Sequence, residues 1–290
     1  MKAWLKSFTK GIIQGLSGSN NAYAAGGDQM HEELLLNRAD IELVEQILPR
    51  LRGWLFPEAA CMTCHLVRKQ TDWGVRGGGV EIGVYEGRYL SLIHKLLAER
   101  SDIMVGIDTF QFISQTEVVR ALTTALGAMP SNLYLIERDS ATILPEEIYG
   151  WAKGKPTIIS IDGDHSAAAV KRDLVLADAV LGDGGLVIAD DFMNHFAVGV
   201  TEGIYSYLSE KTVGLAPCVF IGQKLFFCRP ADAERYRAAA FQFGQYGTLK
   251  SCEVFRDYLG RSRAYVEPSI AGHKVVMFVS PHCDATYGAL

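Results

Sequence analysis

The chain has 290 residues, 49% of them hydrophobic and 21% charged, with a formal net charge of −5. Those are globular values for a chain long enough to bury a sizeable core, as one large α/β domain with extensions or as two small domains. The acidic balance, with no Lys/Arg run longer than two, excludes a nucleic-acid groove or an anionic membrane surface as the main partner. No apolar run reaches the roughly 20 residues that span a bilayer, so a cytoplasmic protein is expected.

The first 30 residues read as a weakly amphipathic arm carrying Lys2, Lys6 and Lys10. Ala22-Tyr23-Ala24 is a faint cleavage-site pattern, but Gly11 to Gly18 is too short and polar for a signal-peptide core. A helical pattern follows Asp40, a plausible N-cap. Val44, Ile47, Leu48 and Leu51 lie on one face, and Pro49 should kink or end it. Gly53 to Phe56 is a connector, so residues 1–58 are taken as an N-terminal arm with helices.

Pro57 then fits the first position of a helix that carries Cys61-Met62-Thr63-Cys64-His65. This is formally a haem-attachment pattern, with a redox or metal pair as a second option. At spacings i, i+3, i+4 the three side chains share one helix face, which is expected to pack against the sheet. Cys218, Cys228, Cys252 and Cys283 are scattered and form no disulfide framework.

Val80-Glu81-Ile82-Gly83-Val84-Tyr85-Glu86-Gly87 runs from a branched apolar strand through two glycines into a helix with Leu90, Ile93 and Leu97 inward. Gly83 and Gly87 permit positive φ and close approach of a ligand at the carboxyl end of a strand. The spacing is G-x-x-x-G, not the G-x-G-x-x-G of a dinucleotide site. Glu86 stands where a diphosphate would come, and Glu81 suits an ammonium or sulfonium charge better. The segment resembles motif I of the class I S-adenosylmethionine-dependent methyltransferases, E/D-x-G-x-x-x-G. That resemblance implies a cofactor held by Glu81, Gly83, Tyr85 and Gly87.

Further strands are expected at Ile103 to Asp108, Leu133 to Ile136, Thr157 to Asp162 and Leu186 to Asp191. Helices are expected at Glu117 to Ala128, Pro145 to Trp151, around Val170, Leu174, Ala177 and Leu181, and around Val200, Ile204 and Leu208. Pro217 to Ile221 and Leu225 to Cys228 flank Gly222-Gln223-Lys224 as a hairpin. Alternation of strand and helix implies a doubly wound parallel sheet, with an antiparallel last strand at its edge. The class I methyltransferase fold has this order of elements, a mixed seven-stranded sheet, and the resemblance spans residues 59–230. The remaining 60 residues, 231–290, form a C-terminal extension with a helix at Ala231 to Gln242 and a strand at Val275 to Val279.

Four strand ends carry acids. Asp108 is placed to accept hydrogen bonds from ribose hydroxyls. Asp139 and Ser140 lie where methyltransferases contact adenine, and Asp162 borders the same pocket. Ile161-Asp162-Gly163-Asp164-His165-Ser166 and Ala189-Asp190-Asp191-Phe192 end neighbouring strands. Three unpaired carboxylates in one cleft raise each other's pKa values, a penalty that a hard divalent cation such as Mg²⁺ removes. The alternative is that each caps a helix. The pattern resembles the metal-dependent O-methyltransferases of the macrocin and catechol type, which share an I-D-G-D-H-S segment. By that resemblance Asp162, Asp190 and Asp191 bind Mg²⁺, and Asp164 or His165 is the general base. The sequence departs from the catechol type in having Asp at 191.

Tyr85, Phe110, Phe112, Phe192 and His195 fall near the expected rim, with core or lid roles as alternatives, and His94 reads as a helix residue. The resulting expectation is Mg-assisted O-methyl transfer to a hydroxyl of a sugar, polyol or other small metabolite. Rival readings are a nicotinamide-dependent oxidoreductase, a hydroxylase-type relative, and a non-catalytic relative that binds a ligand or partner. The arm and tail would suit a homo-oligomer.

Overall fold

Short runs of branched apolar residues build the sheet that carries the site. The computed structural model describes residues 35–210, 212–261 and 268–279. Its strands are β1 (Gly79–Ile82), β2 (Met104–Asp108), β3 (Leu133–Glu137), β4 (Ile158–Ile161), β5 (Leu186–Ala189), β6 (Ala216–Ile221) and β7 (Lys224–Cys228). Three two-residue pieces follow: β8 (Ser269–Ile270), β9 (His273–Lys274) and β10 (Val276–Met277). The sheet order is β10-β6-β7-β5-β4-β1-β2-β3. It has eight strands rather than the expected seven, because Val276 and Met277 pair in parallel with β6. β7 is antiparallel as expected, yet it lies between β5 and β6 rather than at the edge. Every residue of β7 is buried, which suits an interior place. Its two-residue turn has φ of 53° at Gly222 and 63° at Gln223, both positive as a type I′ hairpin turn needs.

Helices cover both faces of the sheet. On one side α2 (Pro57–Asp72), α3 (Arg88–Ala98), α4 (Gln115–Leu126), α8 (Ala233–Tyr246) and α9 (Lys250–Arg261), taken after the short α1 (Arg38–Glu42), share a core that includes Leu66, Ile93, Leu122, Phe243 and Phe255. On the other side α5 (Pro145–Ala152), α6 (Ala167–Val180) and α7 (Val198–Leu208) pack Ile148, Leu174 and Ile204 against the strands. This is the doubly wound, Rossmann-like arrangement that the alternating pattern implies. No helix among the described residues is long and apolar enough to cross a membrane.

Several local expectations are revised. Asn37, not Asp40, caps α1: its side chain accepts from the Asp40 amide, and Asp40 is the returning acid of the capping box. The chain then widens into a π turn at Leu43–Ile47 and tightens into a 3₁₀ turn at Leu48–Arg50, which contains Pro49. Cys61, Cys64 and His65 are buried in α2, as expected, but His65 is not covered by the sheet. His65 lies between the carbonyl oxygens of Leu35 and Ala239, with the Phe243 ring 5.4 Å away. Burial pushes its pKa down to about 4 and raises the thiols of Cys61 and Cys64. A neutral imidazole and inert thiols make a packed helix face rather than a haem or redox site. The described tail packs on that same face, with α8 against α2 and α9 against α8. The helix α9 was not anticipated. The arm at residues 1–30, its cleavage-like Ala22-Tyr23-Ala24 and Cys283 lie outside the described residues.

The turn after β1 is the tightest point of the fold. Gly83 has φ of +86°, and a Cβ there would stand 1.9 Å from the carbonyl oxygen of Asp162. Gly83→Ala should therefore lower the thermal midpoint by more than about 4 °C. Gly150→Ala, in α5 with nothing within 4 Å of the added carbon, should leave it unchanged or higher. Thermal denaturation of both variants measures the difference.

Candidate active site

A cleft of about 910 Å³ opens along the carboxyl ends of β1, β2, β4 and β5. That is near the upper end of single-ligand pockets, roughly 300–1,000 Å³, so two small molecules fit side by side. Glu81, Gly83, Tyr85, Asp108, Asp139, Ser140 and Asp162 all line it. Gly87 does not: it is the left-handed N-cap of α3, where a Cβ would meet the Leu122 side chain at 2.8 Å.

The motif I turn is held by charge. Asp108 Oδ2 accepts from the amides of Val84 (2.7 Å) and Tyr85 (3.1 Å), and Oδ1 accepts from the Phe110 amide (2.7 Å). Both oxygens thus brace the loop. Tyr85 takes φ of 49°, a left-handed conformation that turns its ring outward, 37% exposed. Glu81 is 1% exposed and receives a hydrogen bond from Ser160 Oγ at 3.3 Å, while its Oε2 has no partner. Burial, reinforced by Asp162, raises the Glu81 pKa well above the ordinary carboxylate value. At the β3 end, Asp139 caps the short turn Ser140–Thr142 by accepting from the Ala141 amide.

The acids converge at the ends of β4 and β5. Asp162, His165 and Asp191 offer ligand atoms that all lie within 4.8 Å of one another. His165 Nε2 is 3.5 Å from Asp162 Oδ1 and 3.3 Å from Asp191 Oδ2. Asp191 has φ of 58°, and its Oδ1 accepts from Asn194 Nδ2 at 2.6 Å. Asp190 is turned the other way. Its Oδ1 accepts from the Asp191 amide, and its Oδ2 lies 2.5 Å from the ammonium of Lys224.

Lys224 is 1% exposed, with its Nζ 3.9 Å from the centroid of the Tyr89 ring. The ammonium meets no acceptor in hydrogen-bond geometry, so its partnership with Asp190 is one of charge. In the sequence the signal is a lone lysine opening an otherwise apolar strand.

The acids differ in basicity. Asp162 is pushed up to about 7, first by burial and then by Asp190. His165 is raised, chiefly by its hydrogen bond to Asp162. Asp164 is exposed and lowered, because its Oδ1 accepts from Ser166. Two carboxylates and an imidazole at this spacing are a donor set that a divalent cation fits.

The connector after residue 50 forms one wall. Arg88 donates from Nε to Leu51 O and from Nη1 to Gly53 O, both at 2.7 Å. Glu86 accepts from the Arg52 amide and, at 2.9 Å, from its Nε. Arg52, Gly53, Trp54, Leu55 and Phe56 all line the cleft, and no feature of the sequence distinguished them. Phe112 lines it at 84% exposure, whereas Phe192 is wholly buried against Phe220 and Phe110 lies in the core. His195 stacks near Phe196 outside the cleft, and His94 bonds to Asn132.

Residues 80–192 match a family model described as a methyltransferase domain. No curated protein matches the chain. Solved structures similar to it include CalS11, a TDP-rhamnose 3'-O-methyltransferase of calicheamicin biosynthesis, at 18% identity and TM-score 0.47, over 74% of this chain and 97% of that one. The O-methyltransferase NovP gives 16% identity and TM-score 0.49, over 79% and 98%. MycE of the mycinamycin pathway, solved with Mg and SAH, gives 18% and 0.43, over 65% and 53%.

Two outcomes follow from the acid cluster. Lys224→Met strands a buried carboxylate and should cost roughly 3–5 kcal/mol in denaturant unfolding, with part recovered on adding Mn²⁺. The raised pKa of Asp162 means that the folded state holds a proton which the unfolded chain releases near 4. This group's contribution to stability is therefore full below about pH 4 and lost as pH rises toward 7. A bound cation needs the ionised form. Mg²⁺ should accordingly raise the melting temperature more at pH 8 than at pH 6.

Proposed function

We propose that this chain, which carries a class I S-adenosylmethionine-dependent methyltransferase domain, transfers a methyl group to a hydroxyl of a sugar, polyol or other small metabolite with help from a divalent cation. The observation that carries the reading is one cleft that joins the motif I turn to Asp162, His165 and Asp191. S-adenosylmethionine supplies a methyl group on a sulfonium centre, an electrophile that needs no acid catalysis. Glu81 lines this end of the cleft with an oxygen that has no hydrogen-bond partner, and a cationic ligand there would favour its ionised form. Glu86, ion-paired with Arg52 beside the N-terminus of α3, disfavours the diphosphate of the nicotinamide alternative.

A neutral hydroxyl is a weak nucleophile; Asp162 and Asp191 would hold a cation, which would supply charge to lower the hydroxyl's pKa and orient it. Asp190 stands behind them, its charge shared with Lys224. The acceptor oxygen forms its bond to the methyl carbon as the sulfur–carbon bond breaks, so alignment supplies much of the rate. His165 receives the proton. Of the two candidate bases it is the more basic, and it stands on the acid cluster, whereas Asp164 is occupied in capping the turn before α6.

Calorimetry with S-adenosylhomocysteine should show binding at motif I with or without Mg²⁺, and no binding would remove the reading. In an acceptor screen, Asp191→Ala or EDTA should abolish turnover while leaving that binding nearly intact. His165→Ala should lower kcat by about 10²–10⁴, and Asp164→Asn by only a small factor. The reverse ranking would move the base to Asp164.

A further inference from the structure

Lys224 opens β7, a strand whose every residue is buried, and its ammonium lies inside the protein beside the cleft. A charge is buried in this way only where something specific compensates it. Two groups do so here. Asp190 Oδ2 lies 2.5 Å from Nζ, and the centroid of the Tyr89 ring lies 3.9 Å from it. Tyr89 is fixed in turn, since its hydroxyl stands 2.8 Å from Thr63 Oγ1 in α2. The ammonium is therefore clamped between a carboxylate and an aromatic face.

The consequence falls on the acids that face the cleft. Asp190 has both oxygens engaged, Oδ2 by the ammonium and Oδ1 by the Asp191 amide. Among the described residues, the ligand atoms that converge are those of Asp162, His165 and Asp191, without Asp190. The family resemblance puts all three aspartates around one ion, whereas the fold gives one of them a resident cation. Lys224 also acts on Asp162, against the upward push of burial and of Asp190. A fixed positive charge behind two carboxylates weakens their attraction for another cation. Affinity for a hard ion follows the number of charged ligands, and here one has been withdrawn.

We propose that Lys224 is a tethered counter-cation, which withdraws Asp190 from the ligand set and so sets how tightly Asp162 and Asp191 hold a divalent ion. The proposal rests on the cation-assisted reading of the site and adds to it a residue that governs affinity without touching the ion. Lys224 is a positioning residue that acts through Asp190, and no bond is made or broken at its nitrogen. A purely structural lysine would neutralise Asp190 for folding and leave the affinity of the other two acids unchanged.

Electron paramagnetic resonance of Mn²⁺ titrated into the full-length protein tests this without any turnover. Lys224→Met frees Asp190, and the Mn²⁺ dissociation constant should fall about tenfold or more. Adding Asp191→Ala to that variant should abolish the gain, which places it at the acid cluster. Because Lys224→Met strands a buried charge, the second variant is Lys224→Met/Asp190→Asn, which removes both members of the pair. Its constant should stay within about threefold of the native value, whereas a site that uses Asp190 as a ligand would lose roughly tenfold or more. Unchanged or weaker binding in folded Lys224→Met, a gain that survives Asp191→Ala, or a large loss in the double variant each overturns the proposal. So does an absence of Mn²⁺ binding in the native protein and in both Lys224 variants. Calorimetry with S-adenosylhomocysteine on the same samples separates that failure from failure of the methyl-transfer reading.

Discussion

Negative charge converging on one sheet edge is the constraint around which the site is arranged. β1, β4 and β5 are neighbours, so Glu81, Asp162 and the pair Asp190–Asp191 meet where the strands end. Each carboxylate loses water there, and each repels the others. Three compensations are visible. Glu81 is driven toward its neutral form, Lys224 places a buried ammonium against Asp190, and His165 leans on Asp162 and Asp191. They leave the outer pair facing the cleft with a raised pKa at Asp162. An arrangement balanced in this way keeps the acids together without a cation.

The second feature is preorganisation of the adjoining loop. A glycine-rich turn is mobile by nature, because glycine has the most conformational freedom to lose. Here Asp108 reaches across from β2 and takes two amides of the turn on one oxygen. Glu86 and Arg88 fasten the connector at residues 51–53 to the other side. Rigid support of this kind is what in-line transfer between two bound molecules requires.

Local patterns were read well where the chemistry was local. The βα turn at Gly83, the branched strands, the inward stripes of the helices and the I-D-G-D-H-S segment all declare themselves within a few residues. Short patterns do not choose between candidates that a neighbouring cap or a distant partner decides. Asp40 resembles an N-cap until Asn37 is seen to accept its amide. A helix face carrying His65 fits a sheet equally well in sequence, and only Leu35 and Ala239 of α8 show what covers the imidazole. Phe192 sits beside two acids in sequence, yet Phe220 and Tyr205 take it into the core.

By itself, the sequence determined the doubly wound class, the motif I turn and the set of acids at the strand ends. Periodicity and strand-end placement are properties of short stretches and survive without coordinates. Tertiary structure alone decided how those acids are used. Register puts Lys224 opposite Ala189's neighbour Asp190, and that pairing turns one carboxylate inward while Asp162 and Asp191 keep theirs beside His165. It also decided that an unremarkable connector becomes a wall, because Glu86, Arg88 and Gly222 that hold it lie some 30 to 170 residues further along the chain. Electrostatics among buried groups depends on distances in space, and a single sequence does not contain them.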